Sequence, residues 1–211
     1  MAGLTGEAWA PPGFWMSEAL VIEPAAELRA WLARVPTIRG EVASVTPGET
    51  PEVLMEDGAR HAFDHVVIAA GWGSGPLGID GLSPVRGQLV WADGISPGRA
   101  AVWGPGYAIP TRSGVLVGAT HDRGRTDVAV SVEDSGALLD KLAGPRPVLA
   151  ARLAAGSVSA RAAIRATTPD HRPLCGAIGQ GVWTLTGLGG RGFSWATLMA
   201  EHIAARISAT P

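Results

Sequence analysis

The sequence holds a single cysteine, Cys175, so no internal disulfide can form. A lone thiol of this kind reads as a small buried apolar residue rather than a nucleophile or a cofactor attachment point. No run approaches the roughly 18 apolar residues that a membrane-spanning helix needs. The opening residues, MAGLTGEAWAPPGF, have neither the basic start nor the apolar stretch of a secretory signal. A cytoplasmic protein without membrane contact is expected. Neither sign of charge dominates: 17 basic and 19 acidic residues give a formal net charge of -2, and such a balance leaves no electrostatic footprint for nucleic acid. His121 and Asp122 follow a strand, but no second His, Cys or Asp cluster stands at ligand spacing from them, so no metal is expected. Internal repeats and low-complexity segments are also missing.

What is present favours a core. Of the 211 residues, 46% are hydrophobic and 17% charged, enough apolar surface for one domain or two small ones. The 29 glycines and 16 prolines point to many turns and short strands rather than a helical bundle. A loop is expected at 10–13 and a short strand over 14–22. Pro24 opens a helix in which Leu28, Trp31, Leu32 and Val35 form an apolar face, ended by Pro36. Ile38, Val42 and Val45, then 53–55 and 62–63 around the turn at Asp57 and Gly58, read as an antiparallel meander. The run Asp64-His65-Val66-Val67-Ile68-Ala69-Ala70-Gly71 is a strand apolar on both faces, hence expected to be buried on both. Strands follow at 85–91, 100–103, 106–109 and 115–120, with a hairpin turn at 111–114. Ser131 and Asp134 mark a helix start. A further helix reaches Leu153, and 157–167 returns as a strand.

The stretch 161–207 is the most informative. A β-like run containing Arg165 ends in a turn at Thr168-Pro169-Asp170. A strand over 181–186 leads into the loop Gly187-Leu188-Gly189-Gly190-Arg191-Gly192, which opens a helix. That helix places Trp195, Leu198, Met199, His202, Ile203 and Ile207 near one face, the spacing of a buried stripe. Strand, glycine loop and helix start aim free N–H groups at one spot, suited to something electron-rich. The loop is a literal G-x-G-x-x-G, but no strand and no acidic residue follow the helix at the distance a dinucleotide fingerprint requires, so the pyrophosphate reading is rejected. A tight turn with no ligand is the alternative.

RAAIRATTPDHRPLCG followed by VWTLTGLGGRGFSWATLMAEHIA resembles the C-terminal end of the FAD-dependent D-amino-acid oxidase and glycine oxidase family. Within it the likeness is to the oxidase domain of bifunctional tRNA wobble-uridine modification enzymes, and it extends from about Phe14 onward. The resemblance implies a mixed α/β (α+β) fold in three stretches. Residues 14–83 form part of an FAD-binding module, 84–165 an antiparallel substrate domain opened by Pro84-Val85-Arg86-Gly87-Gln88, and 166–211 the flavin-facing loop and closing helix. It implies FAD as cofactor, with Gly187, Leu188, Gly189, Gly190, Arg191, Gly192 and Phe193 facing the flavin ring. Ala70 and Gly71 are placed by it along the phosphates and ribityl chain, and Val42 by the adenine. It implies an amine or amino-acid-like substrate, its carboxylate gripped by Arg165 and with Tyr107 and Arg191 nearby. Arg165 is alternatively a brace beside Asp170, Arg191 a brace of the loop, and Tyr107 a half-buried strand aromatic.

The family's opening βαβ unit, with its own G-x-G-x-x-G and acidic residue, has no counterpart in the sequence. Two expectations follow. The chain is an FAD-dependent amine oxidoreductase working as the back part of a longer or split enzyme, with a complementary N-terminal polypeptide as partner. Otherwise it is a non-catalytic remnant or interaction domain that binds no flavin.

Overall fold

The computed structural model of the chain describes residues 17–104 and 106–209. The loop expected at 10–13 and the start of the strand expected over 14–22 lie outside them. Residues 17–22 form a turn and irregular chain instead of a strand, leaving Leu20, Val21 and Ile22 exposed. The chain gathers into two units. The first comprises Met1–Pro36, Arg86–Asp122 and Asp127–Ala163; the second comprises Thr37–Val85, Arg123–Thr126 and Ile164–Pro211.

In the first unit, α1 (Pro24–Leu32) starts on its proline as the fixed φ of that residue favours. Its expected apolar face is open: Leu28, Trp31, Leu32 and Val35 are all exposed. Periodicity marks a face that can be buried, but burial itself needs a neighbour. The strands β5 (Ser83–Asp93), β6 (Ala101–Trp103), β7 (Gly106–Pro110) and β8 (Gly114–Gly118) run antiparallel in the order β5-β8-β7-β6. β10 (Ser159–Thr167) flanks β5, and the short β9 (Asp122–Arg123) also pairs with β5. The hairpin turn at 111–114 closes with Thr111 N–H on the Gly114 carbonyl and Gly114 N–H on Thr111 Oγ1. Helix α2 (Val132–Ala143) is capped by Ser131, whose Oγ accepts from Asp134 N–H at 3.1 Å. Helix α3 (Pro147–Ala154) packs on α2, and α2 packs on β7 and β8. Between them lies a core of Val90, Ala108, Val115, Val117, Leu138, Leu142, Leu149 and Leu153.

One cation is sealed into this unit. Arg86 has no exposed surface. Its Nη1 donates to Asp134 at 2.8 Å and Asp122 at 3.1 Å, and its Nη2 donates to Gln88 Oε1 and the Ala129 carbonyl. Nε lies 3.7 Å from Asp127 Oδ1, an ion pair too long for a hydrogen bond. Gln88 in turn accepts from Ser131 N–H and donates to the Ser131 carbonyl. The pair thus fixes 127–131 at the entrance to α2.

In the second unit, β1 (Val42–Thr46), β2 (Glu52–Met55) and β3 (Arg60–Ala62) form the expected antiparallel meander. A second sheet has the order β11-β12-β4, with β4 (Val66–Ile68) parallel to β12 (Val182–Thr186) and β11 (Leu174–Gly179) antiparallel to it. Ile68, Ile79 and Val182 centre a small core with Val45, Val66, Leu77, Leu82 and Leu174. The expectation that the 64–71 run is buried on both faces is corrected: Ile68 is buried, but Val67 is 42% exposed and Ala69 and Ala70 are exposed. β4 is an edge strand among the described residues, so one of its faces lacks a covering layer.

Helix α4 (Gly192–Ser208) follows the glycine loop as expected, but its buried stripe is different. Ile203 is buried and Gly192, Ala196, Met199 and Ile207 are half-buried, at the spacing of one face. Trp195, Leu198 and His202 are exposed. The sequence periodicity merges two adjacent stripes; the structure covers one of them.

Among the described residues, no helix is long and apolar enough to cross a membrane. None of them gather three or more His, Cys, Asp or Glu side chains into a metal-holding group.

Candidate functional site

The parallel pair β4 and β12 sets the site, because ligands in such sheets bind beyond the carboxyl ends of the strands. Beyond β4 lies a 3-10 turn, Gly71–Ser74; beyond β12 lies the glycine loop, with a second 3-10 turn at Gly189–Arg191. The two ends are tied together: Thr186 Oγ1 donates to the Gly71 carbonyl at 3.1 Å, and Thr184 Oγ1 to the Ile68 carbonyl, also at 3.1 Å. This brings Ala70 and Gly71 to the same end of the sheet as 187–193.

The loop needs its glycines for two reasons. Gly187 (φ +74) and Gly189 (φ +57) occupy the left-handed region, where a side chain is strained. A Cβ at Gly187 would also meet Thr168 Cγ2 at 2.9 Å, and one at Gly189 would meet Thr167 Cγ2 at 3.2 Å. Gly190 and Gly192 differ: a Cβ there meets nothing within 4 Å, so the backbone faces open space. Arg191, the residue before α4, makes no side-chain cap, and the first-turn N–H groups of α4 keep their capacity to donate. Gly187→Ala is expected to cost about 1–3 kcal/mol through strain at this φ, read as a lower thermal midpoint.

Beside the loop is a cavity of about 310 Å³, lined by Thr167, His171, Gly187, Leu188, Gly189, Gly190 and Arg191. Thr167 is the last residue of β10. Two positions earlier on the same strand face stands Arg165. Its Nη1 is buried and makes no hydrogen bond among the described residues, an arrangement costly for a guanidinium unless an anion completes it. No bond to Asp170 accounts for it. Ser74 Oγ, fully buried in the turn after β4, is also without a partner.

The far wall is the turn 168–172. His171 N–H bonds the Thr168 carbonyl at 3.1 Å, Thr168 Oγ1 donates to the Arg172 carbonyl at 2.7 Å, and Arg172 N–H donates to Asp170 Oδ1 at 3.0 Å. The Arg172 N–H holds the Asp170 carboxyl below the usual carboxylate range, against a smaller opposing effect of desolvation. A depressed carboxyl anchors the turn fully above that range and loses its contribution as pH falls through the lowered value. The Arg172 amide resonance is therefore expected to titrate with an acid midpoint below that of an unfolded aspartate.

His171 adopts φ 60, the one left-handed non-glycine among the described residues. Arg191 bridges the cavity, its Nη2 donating to the His171 carbonyl while its guanidinium lies 5.0 Å from the Trp195 ring centre. Arg191 thus braces the loop. His171 and Thr167 as cavity walls went unread in the sequence; the only signal was a histidine in the position after Pro-Asp, where the chain must reverse.

Leu188, Gly189 and Gly190 line the cavity, and Gly192 and Phe193 begin α4, with Phe193 exposed. Val42 stands in the meander opposite Met55 and does not line the cavity. Tyr107 belongs to the first unit, where its ring lies across Gly118 of the neighbouring strand. Cys175, in β11, is half-buried with Sγ 3.7 Å from the Met199 carbonyl. Desolvation raises its thiol above the usual range, opposed by Arg206. A thiolate-selective alkylating reagent at pH 8 is expected to label it more slowly than in the unfolded chain.

Residues 5–206 match the profile of a family described as FAD dependent oxidoreductase (DAO). The chain is 44% identical over 203 residues to a tRNA 5-methylaminomethyl-2-thiouridine biosynthesis bifunctional protein MnmC from Caulobacter sp., a match covering 93% of this chain and 33% of the relative. The protein of the same name from Caulobacter vibrioides is 45% identical, with coverage of 95% and 34%. The chain therefore spans about a third of the length of these relatives. Among solved structures, glycine oxidase from Geobacillus kaustophilus superposes with a TM-score of 0.71 at 22% identity, covering 81% of this chain and 48% of that one. Iminodiacetate oxidase from Chelativorans sp. gives 0.72 at 23% identity, covering 89% and 54%. The fold is thus mixed α/β with antiparallel sheets, of the kind found in FAD-dependent oxidases.

Proposed function

The chain belongs to the FAD dependent oxidoreductase family, and from that premise we propose that it oxidises a C–N bond of a carboxylated, amino-acid-like amine in the cytoplasm, as part of a longer or assembled flavoenzyme. The observation that carries this reading is the buried, unpartnered Nη1 of Arg165, two residues before Thr167 on the strand whose end lines the cavity at the glycine loop. The relatives' name extends the proposal to an amine borne on a modified tRNA base.

The residues present fit a flavin. Gly190 and Gly192 leave the loop backbone bare, as a flat ring in contact requires. The uncapped N-terminus of α4 favours negative charge, by roughly 0.3–2 kcal/mol. Ala70, Gly71 and the orphaned Ser74 hydroxyl stand at the carboxyl end of β4, where the remainder of the cofactor would run. When bound, FAD would supply the two-electron oxidation of the amine. Arg165 supplies the position: a guanidinium grips a carboxylate by two parallel hydrogen bonds and so fixes the adjacent α-carbon. Arg191 keeps the loop in place through His171 and Trp195.

The test is the visible spectrum of the purified protein after incubation with FAD and removal of excess. Retained flavin that bleaches anaerobically on adding a carboxylated secondary amine is the expected result. Retained flavin that no such amine bleaches, in the chain or its assembly, overturns the oxidase reading. Failure of both to hold flavin leaves the non-catalytic interaction domain.

A further inference from the structure

We propose that the rim of the cavity in the second unit, with the turn 123–126 as its outer part, binds RNA backbone phosphates on either side of the nucleotide whose amine enters. The inference rests on the reading of an amine borne on a tRNA base and names the residues that take the rest of that molecule.

The charge balance of the whole chain conceals a local excess. The formal net charge is -2, yet the segments 123–126, 168–172 and 187–193 carry four arginines, Arg123, Arg125, Arg172 and Arg191, against one acid, Asp170. That acid is turned to its own backbone, accepting from Arg172 N–H. In the sequence the turn 123–126 lies between Asp122 and Asp127 and reads as neutral. The fold separates the signs. Asp122 and Asp127 are both drawn to the buried Arg86, whereas Arg123 and Arg125 are exposed, as are Arg172 and Arg191. Arg165 is left to the carboxylate of the amine.

Backbone bonds tie this turn to the cavity. Gly124 (φ +76) reverses the chain, and its N–H donates to the Pro84 carbonyl at 2.9 Å. Thr167 Oγ1, on the cavity wall, donates to the carbonyl of the residue before, Ser83, also at 2.9 Å. All four residues belong to the second unit. β10 flanks one edge of β5, and β9 continues β8 along the other. Two strand spacings, about 10 Å, therefore separate the turn from the end of β10.

The ligand follows from the chemistry of the substrate. A base that is to react must leave its stack and enter the site, and its own phosphates then lie outside the cavity. Phosphates are held by cations that carry no sequence information, and a guanidinium matches a phosphate with a planar pair of donors. A rim of exposed arginines around a cavity for the base meets that need.

The experiment follows fluorescence anisotropy of a labelled, unmodified anticodon stem-loop RNA at several salt concentrations, with the chain or with the assembly that holds flavin. Binding that weakens with salt is expected. Arg123→Gln with Arg125→Gln is expected to weaken it about tenfold and to lessen the logarithmic salt slope by about 1.4, two single-strand phosphate contacts. Lysine at both positions should restore most of the slope. Arg123→Gln alone changes one exposed side chain, should keep the thermal midpoint, and is expected to lessen the slope by about 0.7. The KM for a free carboxylated amine should not change in any of them. No RNA binding, a salt slope that these variants leave intact, or equal competition by polyglutamate overturns the proposal. The two readings fail separately. RNA held with the expected slope, but no bleaching of flavin by amine, keeps the rim and removes the oxidase. Bleaching by the free amine without RNA binding does the reverse.

Discussion

Arg165→Ala is expected to raise KM for a carboxylated amine about 100-fold while lowering kcat much less. The guanidinium stands with one nitrogen buried and unpartnered. Truncating a cation that grips a carboxylate by charge-assisted bonds costs about 2–5 kcal/mol, and 1.4 kcal/mol is tenfold. Arg165→Lys is expected to recover only part of the loss, because an ammonium keeps the charge and not the planar fork. An amine of similar size without the carboxylate supplies the control: its KM should be insensitive to both substitutions. Equal loss for both amines would place Arg165 in the structure and not at the substrate. Thermal midpoints of both variants should stay near the parent or rise, since no internal bond from Nη1 is broken.

Arg86→Met is expected to be the most damaging single change to stability, lowering it by about 3 kcal/mol. The methionine fills much of the volume, but Asp122 and Asp134 lose their cation, and Gln88 and the Ala129 carbonyl lose a donor. Both aspartates retain some exposure, at 32% and 22%. Water softens the loss, which places the figure at the lower end for a broken buried pair. Arg86→Lys should not restore the parent, since one ammonium cannot reach four acceptors spread over a fork. Chemical denaturation of the two variants measures this directly. Hydrogen exchange should also show 127–135 opening ahead of the β5-β8-β7 core, because Arg86 and Gln88 hold that segment from below.

Local chemistry was legible in the sequence where it acts over a few residues. Ser131 with Asp134 announced the start of α2, Pro24 opened α1, and the meander around Asp57 and Gly58 was visible in its alternation. The strand, glycine loop and helix from 182 to 208 were legible for the same reason. Burial was not. The apolar faces of α1 and α4 and the run at 66–70 carry the periodicity of buried elements, and their exposure depends on what packs beside them. β11 was missed because Leu-Cys-Gly-Ala-Ile-Gly has no alternation of its own and becomes a strand through its pairing with β12. His171 and the unpartnered nitrogen of Arg165 depend on which groups three-dimensional packing leaves over, and no spacing rule encodes that.

The bond from Thr186 to the Gly71 carbonyl has a bearing on selectivity. It joins the ends of two neighbouring strands, so the span between the turn after β4 and the loop after β12 is set before any ligand arrives. A cleft of fixed gauge selects by length. A molecule reaching from one end to the other must match that interval, and a shorter or longer one forfeits contacts at one terminus.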